Sequence, residues 1–343
     1  MRWFDSYLSD RSQYVVYDGV QSKILPVKCG VPQGSILGPL LFIIYMNDIC
    51  NVSDLVHTIL YADDTSVLVN GKNLEKLFKI LNDELYKLYI WLSANKLSLN
   101  VDKTYYIIFH RARIKFPDCH LHISMNNTVL NEVKCCKYLG VILDSKISWV
   151  QHIAYVKSKI SKGIGIMYQA RKFLSKKALV GLYNSYIYPY LIYCVESWGN
   201  VPHCHLDPLF ILQKKIVRII TFSRFDASTH MIFSDLNILP LYNLVQNRIS
   251  FFMYKHVNGL LPEVMNDLYI INNEIHGHNT RQCHLFHIHK GNTNVYARSF
   301  SNISPRVWNA LHKEIDVNVS ISKFKKLSKS FFLKHILEIS YPK

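Results

Sequence analysis

The stretch Leu60-Tyr61-Ala62-Asp63-Asp64-Thr65-Ser66 sets two adjacent carboxylates between two short apolar runs, His57 to Tyr61 and Thr65 to Val69. Both runs are rich in β-branched and aromatic residues, as strands are, so the pattern predicts a β-hairpin with two negative charges at its tip. Carboxylates this close repel each other unless a cation lies between them, which makes a divalent metal ion one natural partner. An ordinary acidic turn is the other reading, because Asp favours turns for purely local reasons. The turn alone does not choose between them.

Upstream, Gly30-Val31-Pro32-Gln33-Gly34-Ser35-Ile36-Leu37-Gly38-Pro39 is a loop with three glycines and two prolines. It runs into an apolar helix predicted over Leu40 to Ile49, and Pro39 suits a first helical turn. Glycine lets a backbone approach a ligand closely, and Gln33 and Ser35 add hydrogen-bonding groups for a substrate or template strand. A helix-entry loop whose glycines serve only the chain's path has the same composition. Before the loop, Gln13 to Tyr17 and Lys23 to Cys29 read as strands joined at Asp18-Gly19, a strong tight-turn pair. After the acidic hairpin, Leu74, Leu77, Phe78, Leu81, Leu85, Leu88 and Leu92 recur at helical spacing and predict an amphipathic helix. Tyr105 to Phe109, His120 to Ser124 and Lys137 to Leu143 read as further strands. The first 145 residues thus predict one domain of mixed strands and helices, with enough strands for a single sheet. From Trp149 the pattern turns helical, with further helices expected over 206–222, 241–257 and 320–339; residues 272–305 are polar and His-rich.

The net charge of +16 is unevenly spread. Residues 1–145 hold 15 Lys/Arg against 14 Asp/Glu, whereas residues 146–343 hold 25 against 10. Lys146, Lys157, Lys159, Lys162, Arg171, Lys172, Lys176 and Lys177 precede the first acid of this part, Glu196. Such a bias favours a polyanionic partner, nucleic acid first. No lipidation motif or polybasic anchor points to a membrane. The apolar run Leu37 to Met46 is too short for a bilayer, and Leu179 to Trp198 is interrupted by Asn184, Ser185, Pro189 and Glu196. Asp5, Asp10 and Arg11 fall where a signal peptide needs apolar residues, so the expectation is an intracellular protein, nuclear and/or cytoplasmic and not secreted.

The eight cysteines show no disulfide framework and no Cys-x-x-Cys, and are expected to be mostly small buried apolar residues. Cys283, His284, His287 and His289, preceded by His276 and His278, offer zinc donors, but at no standard pair-plus-pair spacing. His203-Cys204-His205 is a weaker set. Lys323, Lys325, Lys326 and Lys329 interleave with Phe324, Leu327, Phe331 and Phe332, as on a helix with a solvated face opposite a packed one.

The combination of motifs says more than any one of them. The glycine loop through Phe42, followed about 30 residues on by Tyr61-Ala62-Asp63-Asp64, resembles reverse transcriptases at palm motifs B and C. Trp91-Leu92-Ser93-Ala94-Asn95-Lys96-Leu97-Ser98-Leu99-Asn100 with Lys103-Thr104 resembles motif D. Lys137-Tyr138-Leu139-Gly140-Val141-Ile142-Leu143-Asp144 resembles motif E, the primer grip. Trp149, His152 and Ile153 resemble the entry to the thumb, and His278-Asn279-Thr280-Arg281 and Ser304-Pro305-Arg306-Val307-Trp308-Asn309 the tail of such elements. The wording is nearest to non-long-terminal-repeat (LINE-type) retrotransposons of the jockey-like kind.

That resemblance implies an α+β fold. A reverse transcriptase palm, an antiparallel sheet with packed helices, would occupy 1–145, a basic helical thumb 146–200, and a mostly helical C-terminal region 201–343. It implies RNA-directed DNA polymerase activity on an RNA template, a DNA primer and deoxynucleoside triphosphates, with two Mg²⁺ ions. Asp63 and Asp64 would be catalytic metal ligands. Lys103 would protonate or neutralise the leaving pyrophosphate, or else be a solvated loop lysine. Gly30, Pro32, Gln33, Gly34, Ser35 and Tyr61 would face nucleotide and template. Tyr138, Leu139 and Gly140 would hold the primer end, and Lys157, Lys159, Lys162, Arg171 and Lys172 would track the nucleic-acid backbone. The family's remaining metal-binding aspartate lies in motif A, upstream of the glycine loop. Only Asp5, Asp10 and Asp18 precede the loop here, and Trp3-Phe4-Asp5-Ser6-Tyr7-Leu8 matches the segment after motif A. The expectation is a chain truncated at its N-terminus, without motif A or fingers, with an incomplete Mg²⁺ site and little polymerase activity alone. A non-catalytic nucleic-acid-binding remnant of the same fold is the alternative.

Overall fold

A computed structural model describes residues 2–110, 121–275, 282–291 and 293–335 of the chain. They fall into two compact units, the first of residues 2–108 and 121–133, the second of 109–110 and 134–335. The hairpin read as motif E therefore packs with the helices that follow it.

The first unit opens with α1 (Arg2–Leu8) and an interrupted hairpin of four short strands. In it β2 (Val16–Tyr17) pairs with β3 (Val20–Gln21), and outside them β1 (Ser12–Gln13) pairs with β4 (Leu25–Pro26). Asp18 and Gly19, the expected turn, both adopt positive φ, 48° and 76°, as a two-residue hairpin turn of this hand requires. The glycine loop leads into α2 (Gly38–Met46), then a 3₁₀ turn over Asn47–Val52. β5 (His57–Tyr61) and β6 (Asp64–Leu68) form the acidic hairpin. α3 (Leu74–Ala94) follows, capped by the Asn73 side chain, which accepts from the Lys76 backbone N–H. Its far end closes with the Leu97 N–H on the Leu92 carbonyl and the Lys96 N–H on that of Ser93, with Lys96 at φ 53° in the position glycine usually fills. Phe78, Leu85 and Leu88 of α3 bury against Met46, Ile49, Ile123, Met125 and Leu130.

The single sheet expected for this unit is not formed. Among the described residues every ladder has two strands: β7 (Tyr105–Tyr106) with β10 (Asn131–Glu132), β8 (Ser124–Met125) with β9 (Thr128–Val129), and the pairs above. Strands two residues long present too few ladder bonds and cross-strand contacts to extend a sheet, so each leans on a helix or its own partner. The run Tyr105 to Phe109 is strand only at its start. That read over His120 to Ser124 is strand only at Ser124, and His120 lies outside the described residues. Much of the apolar surface near the N-terminus stays open: Tyr17 is 83% and Ile36 96% exposed.

In the second unit β11 (Cys135–Tyr138) turns back into β12 (Val141–Asp144). The stretch Lys137 to Leu143 is thus a hairpin rather than one strand. Leu139 and Gly140 both sit at positive φ, 45° and 87°, and make the turn. The helices follow: α4 (Val150–Ala170), α5 (Lys176–Tyr186), α6 (Tyr188–Ile192), α7 (Val195–Trp198), α8 (His203–Ile220), α9 (His230–Asp235), α10 (Leu241–Val257), α11 (Asn272–Ile275), α12 (Asn294–Ala297), α13 (Phe300–Leu311) and α14 (Ile321–Lys334). α10 has the predicted bounds; the part of the predicted 320–339 helix from 336 lies outside the described residues.

Segments 146–200 and 201–343 share one core. Met167, Leu179 and Trp198 bury with Leu209, Val245 and Phe324 in a single cluster. Each such side chain contributes about 1.5–3 kcal/mol by leaving water. α4 packs on α8, and α10 on α13 and α14. The motif Ser304 to Asn309 lies in α13 and is structural: Ser304, Pro305, Val307 and Trp308 are buried, and the Asn309 amide brackets the backbone of Phe286. The cysteines depart from expectation. Cys29, Cys50 and Cys204 are exposed and Cys135, Cys136, Cys194 and Cys283 half-buried, because they sit in loops, hairpin strands and helix ends rather than on core faces; Cys119 lies outside the described residues. Among the described residues no helix is long and apolar enough to cross a membrane.

Candidate active site

The acidic hairpin is the centre of the candidate site. Its register runs from His57 opposite Leu68 to Tyr61 opposite Asp64, which leaves Ala62 and Asp63 as the turn. Asp63 is therefore at the tip, and Asp64 is the first residue of the returning strand. Ala62 has φ 54°, a left-handed conformation that side chains with a Cβ adopt reluctantly. Tyr61, Asp63 and Asp64 are all exposed. Among the described residues the ion pairs are Glu84–Lys87, Arg224–Asp226 and Glu196–Arg248, and none involves these carboxylates or Lys103. No group of three or more His, Cys, Asp or Glu gathers anywhere among them. Two adjacent carboxylates are nevertheless hard oxygen donors of the kind Mg²⁺ takes, one or two of them together with substrate phosphates.

The glycine loop is built by its own hydrogen bonds. The Ser35 hydroxyl donates to the Pro32 carbonyl (2.8 Å) and accepts from the Gly38 N–H (3.0 Å), which starts α2. Ser35 is thus engaged in helix entry, and a Cβ on Gly38 would meet its Oγ at 2.8 Å. Gly30 and Gly34 hold φ of 80° and 79° with open space where a Cβ would stand, so they serve both the path of the chain and access to it. Gln33 and Gly34 are exposed, and Pro32 is half-buried. The Arg11 guanidinium donates to the Gly30 carbonyl and ties the loop to the end of α1. Lys103 ends a 3₁₀ turn over Val101–Lys103, where its N–H reaches the Asn100 side chain at 3.3 Å and its own side chain is exposed.

In the second unit the hairpin read as the primer grip is fixed from three sides. The Tyr193 hydroxyl donates to the Leu139 carbonyl, and its ring stands where a Cβ on Gly140 would come within 3.2 Å. The Ile142 N–H donates to Nδ1 of buried His152 at 3.3 Å. Asp144 accepts from Lys146 N–H (3.1 Å), Ser148 N–H (3.0 Å) and Trp149 N–H (2.9 Å), joining the hairpin to α4. Burial in this aromatic setting, beside Trp149, Tyr155 and Trp198, lowers the His152 pKa from its ordinary value. On α4, Lys157 and Lys162 are exposed, away from the buried face of Ile153, Val156, Ile160 and Ile164. Lys159 lies 5.4 Å from the Tyr155 ring centroid, with Lys137 of the hairpin at 6.0 Å from the same ring. Beyond the helix Lys172 is exposed and Arg171 half-buried. Tyr193 and Tyr155 had no signal in the sequence, and Lys137 stood there only as the first residue of the motif E stretch, since each acquires its place through contacts distant in the chain.

The other clusters resolve simply. His287 Nδ1 lies 3.1 Å from the Asn272 amide oxygen, and the rings of His287 and His289 stand edge to face; His276 and His278 to Arg281 lie outside the described residues. On α14, Phe324 and Phe332 are buried, Lys323, Lys325 and Lys326 are exposed, and burial lowers the pKa of half-buried Lys329.

Residues 1–143 match the family model described as reverse transcriptase (RNA-dependent DNA polymerase). The chain is 29% identical over 270 residues to the RNA-directed DNA polymerase from mobile element jockey of Drosophila melanogaster, covering 74% of this chain and 29% of that protein. It is 29% identical over 244 residues to the jockey polymerase of Drosophila funebris, covering 68% and 26%. It is 24% identical over 252 residues to the probable RNA-directed DNA polymerase from transposon X-element of Drosophila melanogaster, covering 71% and 27%. The chain spans under a third of the length of each of these relatives. Residues 1–143, which hold the glycine loop and the acidic hairpin, thus match the reverse transcriptase domain, and the chain is homologous to the RNA-directed DNA polymerases of the jockey and X-element non-LTR retrotransposons.

Proposed function

We propose that the chain acts as part of an RNA-directed DNA polymerase. Residues 1–145 would be the palm, and the basic helices of 146–200 the thumb. The observation that carries this reading is the exposed Asp63-Asp64 turn of β5–β6, downstream of a glycine loop with open space at Gly30 and Gly34, within the residues that match the family. Asp63 and Asp64 would hold Mg²⁺, which when bound activates a primer 3′-hydroxyl and offsets charge on the leaving pyrophosphate. The chain's own residues do the rest. The backbone around Gly30, Pro32 and Gly34, with Gln33 and Tyr61, lies against template and nucleotide; Lys103 offers a cation or proton to the pyrophosphate. Tyr138, Leu139 and Gly140 position the primer end, and Lys157, Lys159, Lys162, Arg171 and Lys172 bind phosphates without reading bases. Its partners are then an RNA template, a DNA primer and deoxynucleoside triphosphates, met inside the cell, in the nucleus and/or cytoplasm.

A two-metal site needs more carboxylates than this pair, and no third joins it among the described residues. Misplacement of a reacting group by about 1 Å can cost roughly a hundredfold in rate, so this chain alone is expected to extend primers weakly at best. The same observation favours a second reading, a nucleic-acid-binding remnant without catalysis. The test is purified chain on a DNA-primed RNA template with Mg²⁺, over a salt series. Binding should fall steeply with salt, extension should be weak, and Asp63→Asn should abolish extension while sparing binding. Robust extension lost in Asp63→Asn would overturn the impairment. Extension indifferent to that substitution would overturn the site, and salt-independent binding the charge argument.

A further inference from the structure

The ends of α4 and α8 meet at a surface where the polymerase reading uses only Arg171 and Lys172, as phosphate-binding cations, and leaves the aromatic rings unassigned. The Arg171 guanidinium lies over the Phe222 ring, 5.1 Å from its centroid. Phe222 has φ 58°, which a bulky residue rarely adopts, and the surrounding turn holds it there. The Ser223 N–H donates to the Arg218 carbonyl (3.0 Å), the Thr221 hydroxyl to the Val217 carbonyl (2.9 Å), and Arg218 Nε to the Ala227 carbonyl (2.8 Å). The result is an aromatic ring presented to solvent, 49% exposed, with a cation on its face. Phe173, two residues after Arg171, and Phe225, three after Phe222, are each 86% exposed. With the Phe222 N–H on the Ile219 carbonyl (3.3 Å), this is a helix end with Phe222 in the left-handed position glycine usually fills, and it sets the ring at the surface, open to a ligand.

Charge identifies that ligand. In the chain Arg171 and Lys172 directly precede Phe173 and Arg224 directly precedes Phe225, Arg171 lies over the Phe222 ring, and the acid beside Arg224, Asp226, pairs with it at 3.3 Å, an exposed contact of little strength. Protein interfaces enrich aromatic residues and arginine alike, so the rings do not choose the ligand; the excess of cations over the single, paired acid does, and it matches a polyanion. Rings set among cations fit unpaired bases on a phosphate backbone, because every base has a face on which an aromatic ring can stack. A duplex offers its phosphates to such a surface but keeps its bases stacked inside.

We propose that Phe173, Phe222 and Phe225, with Arg171, Lys172 and Arg224, bind single-stranded nucleic acid, the rings stacking on bases and the cations pairing with phosphates. The proposal rests on the nucleic-acid-binding reading above. It is tested on the whole chain by fluorescence anisotropy with a labelled oligo-dT of roughly 20 nucleotides and a duplex of equal length, over a salt series. Phe173→Ala/Phe225→Ala should weaken oligo-dT binding about tenfold or more, and leave duplex affinity and the salt slope unchanged. Phe173→Leu/Phe225→Leu should be as weak as the alanine pair, since leucine keeps apolar area but has no ring to stack. Circular dichroism melting shows whether both variants stay folded. Equal losses on both probes, no loss, or leucine equal to wild type would each overturn the proposal. So would a dimer of the wild type, seen by sedimentation, that the alanine pair dissolves, since the occupant would then be a second copy. Wild-type chain that binds neither probe would overturn the broader nucleic-acid reading. Tight, salt-dependent duplex binding with silent aromatic variants would overturn this proposal alone.

Discussion

Asp144 shows how much of this molecule turns on single side chains. Only 8% exposed, it gathers the N–H groups of Lys146, Ser148 and Trp149 and the Ser148 hydroxyl, and so fixes the bend between β12 and α4. Asp144→Ala would leave several partly buried donors without their acceptor, and a charge-assisted set of this kind is worth about 2–3 kcal/mol. Urea denaturation should show that loss as a lower midpoint with an unchanged slope, and Asp144→Asn, which keeps one acceptor oxygen, should lose less. An unchanged midpoint in Asp144→Ala would refute the capping role. The sequence presents Asp144 only as the last residue of a motif, because the bend depends on Ile147 and Trp149 at φ 51° and 62°, which no turn-forming residue type announces. Ser35 carries the converse lesson. Its hydroxyl reads as a group for substrate, yet its proton and one of its two lone pairs are taken by the chain's own backbone, at Pro32 and Gly38.

Among the elements, those with a long periodic signal were legible. α3 and α10 fall where apolar spacing puts them, and the β5–β6 and β2–β3 turns fall on Asp63 and on Asp18-Gly19. The hairpin β11–β12 was hidden, since Tyr138 to Leu143 reads as one apolar strand in which Gly140 is the sole turn residue, and Leu139 before it is not a turn-forming residue. What permits Leu139 at φ 45° is Gly140 after it and Tyr193 from a distant helix end, a contact no local pattern contains. Tyr193→Phe isolates that contact, because the ring can still pack on Gly140 while the hydroxyl donor is gone. A hydrogen bond of this kind contributes about 1 kcal/mol, so amide exchange across Tyr138 to Ile142 should speed up about fivefold with little change elsewhere. Unaltered exchange there would mean that the turn holds without its latch.

At the scale of the whole chain, the sequence's charge asymmetry survives as basic helices around a dense aromatic and aliphatic core, whereas its domain boundary at 145 does not coincide with the packing, which divides at 133/134. Charge is read by counting; packing depends on contacts across the chain. Beside that core stand two histidines, buried His152 and half-buried His256, that should make the second unit sensitive to acid. Burial lowers the pKa of His152 and of His256 from the ordinary value of 6.5. Each is thus held neutral in the folded chain at a pH where the unfolded chain already takes up a proton. A depressed folded pKa gives stability that is complete above 6.5 and is lost as pH falls through that value toward the folded one. The slope attributable to one histidine is at most about one proton, ~1.4 kcal/mol per pH unit at its steepest. His152→Asn removes the titration but keeps an acceptor for the Ile142 N–H. Its absolute stability should drop, yet its stability should fall less steeply with acid than that of wild type when both are unfolded in urea between pH 7 and pH 5. Parallel curves for the two proteins would show that the buried imidazole at the head of α4 is not the group that links folding to protons.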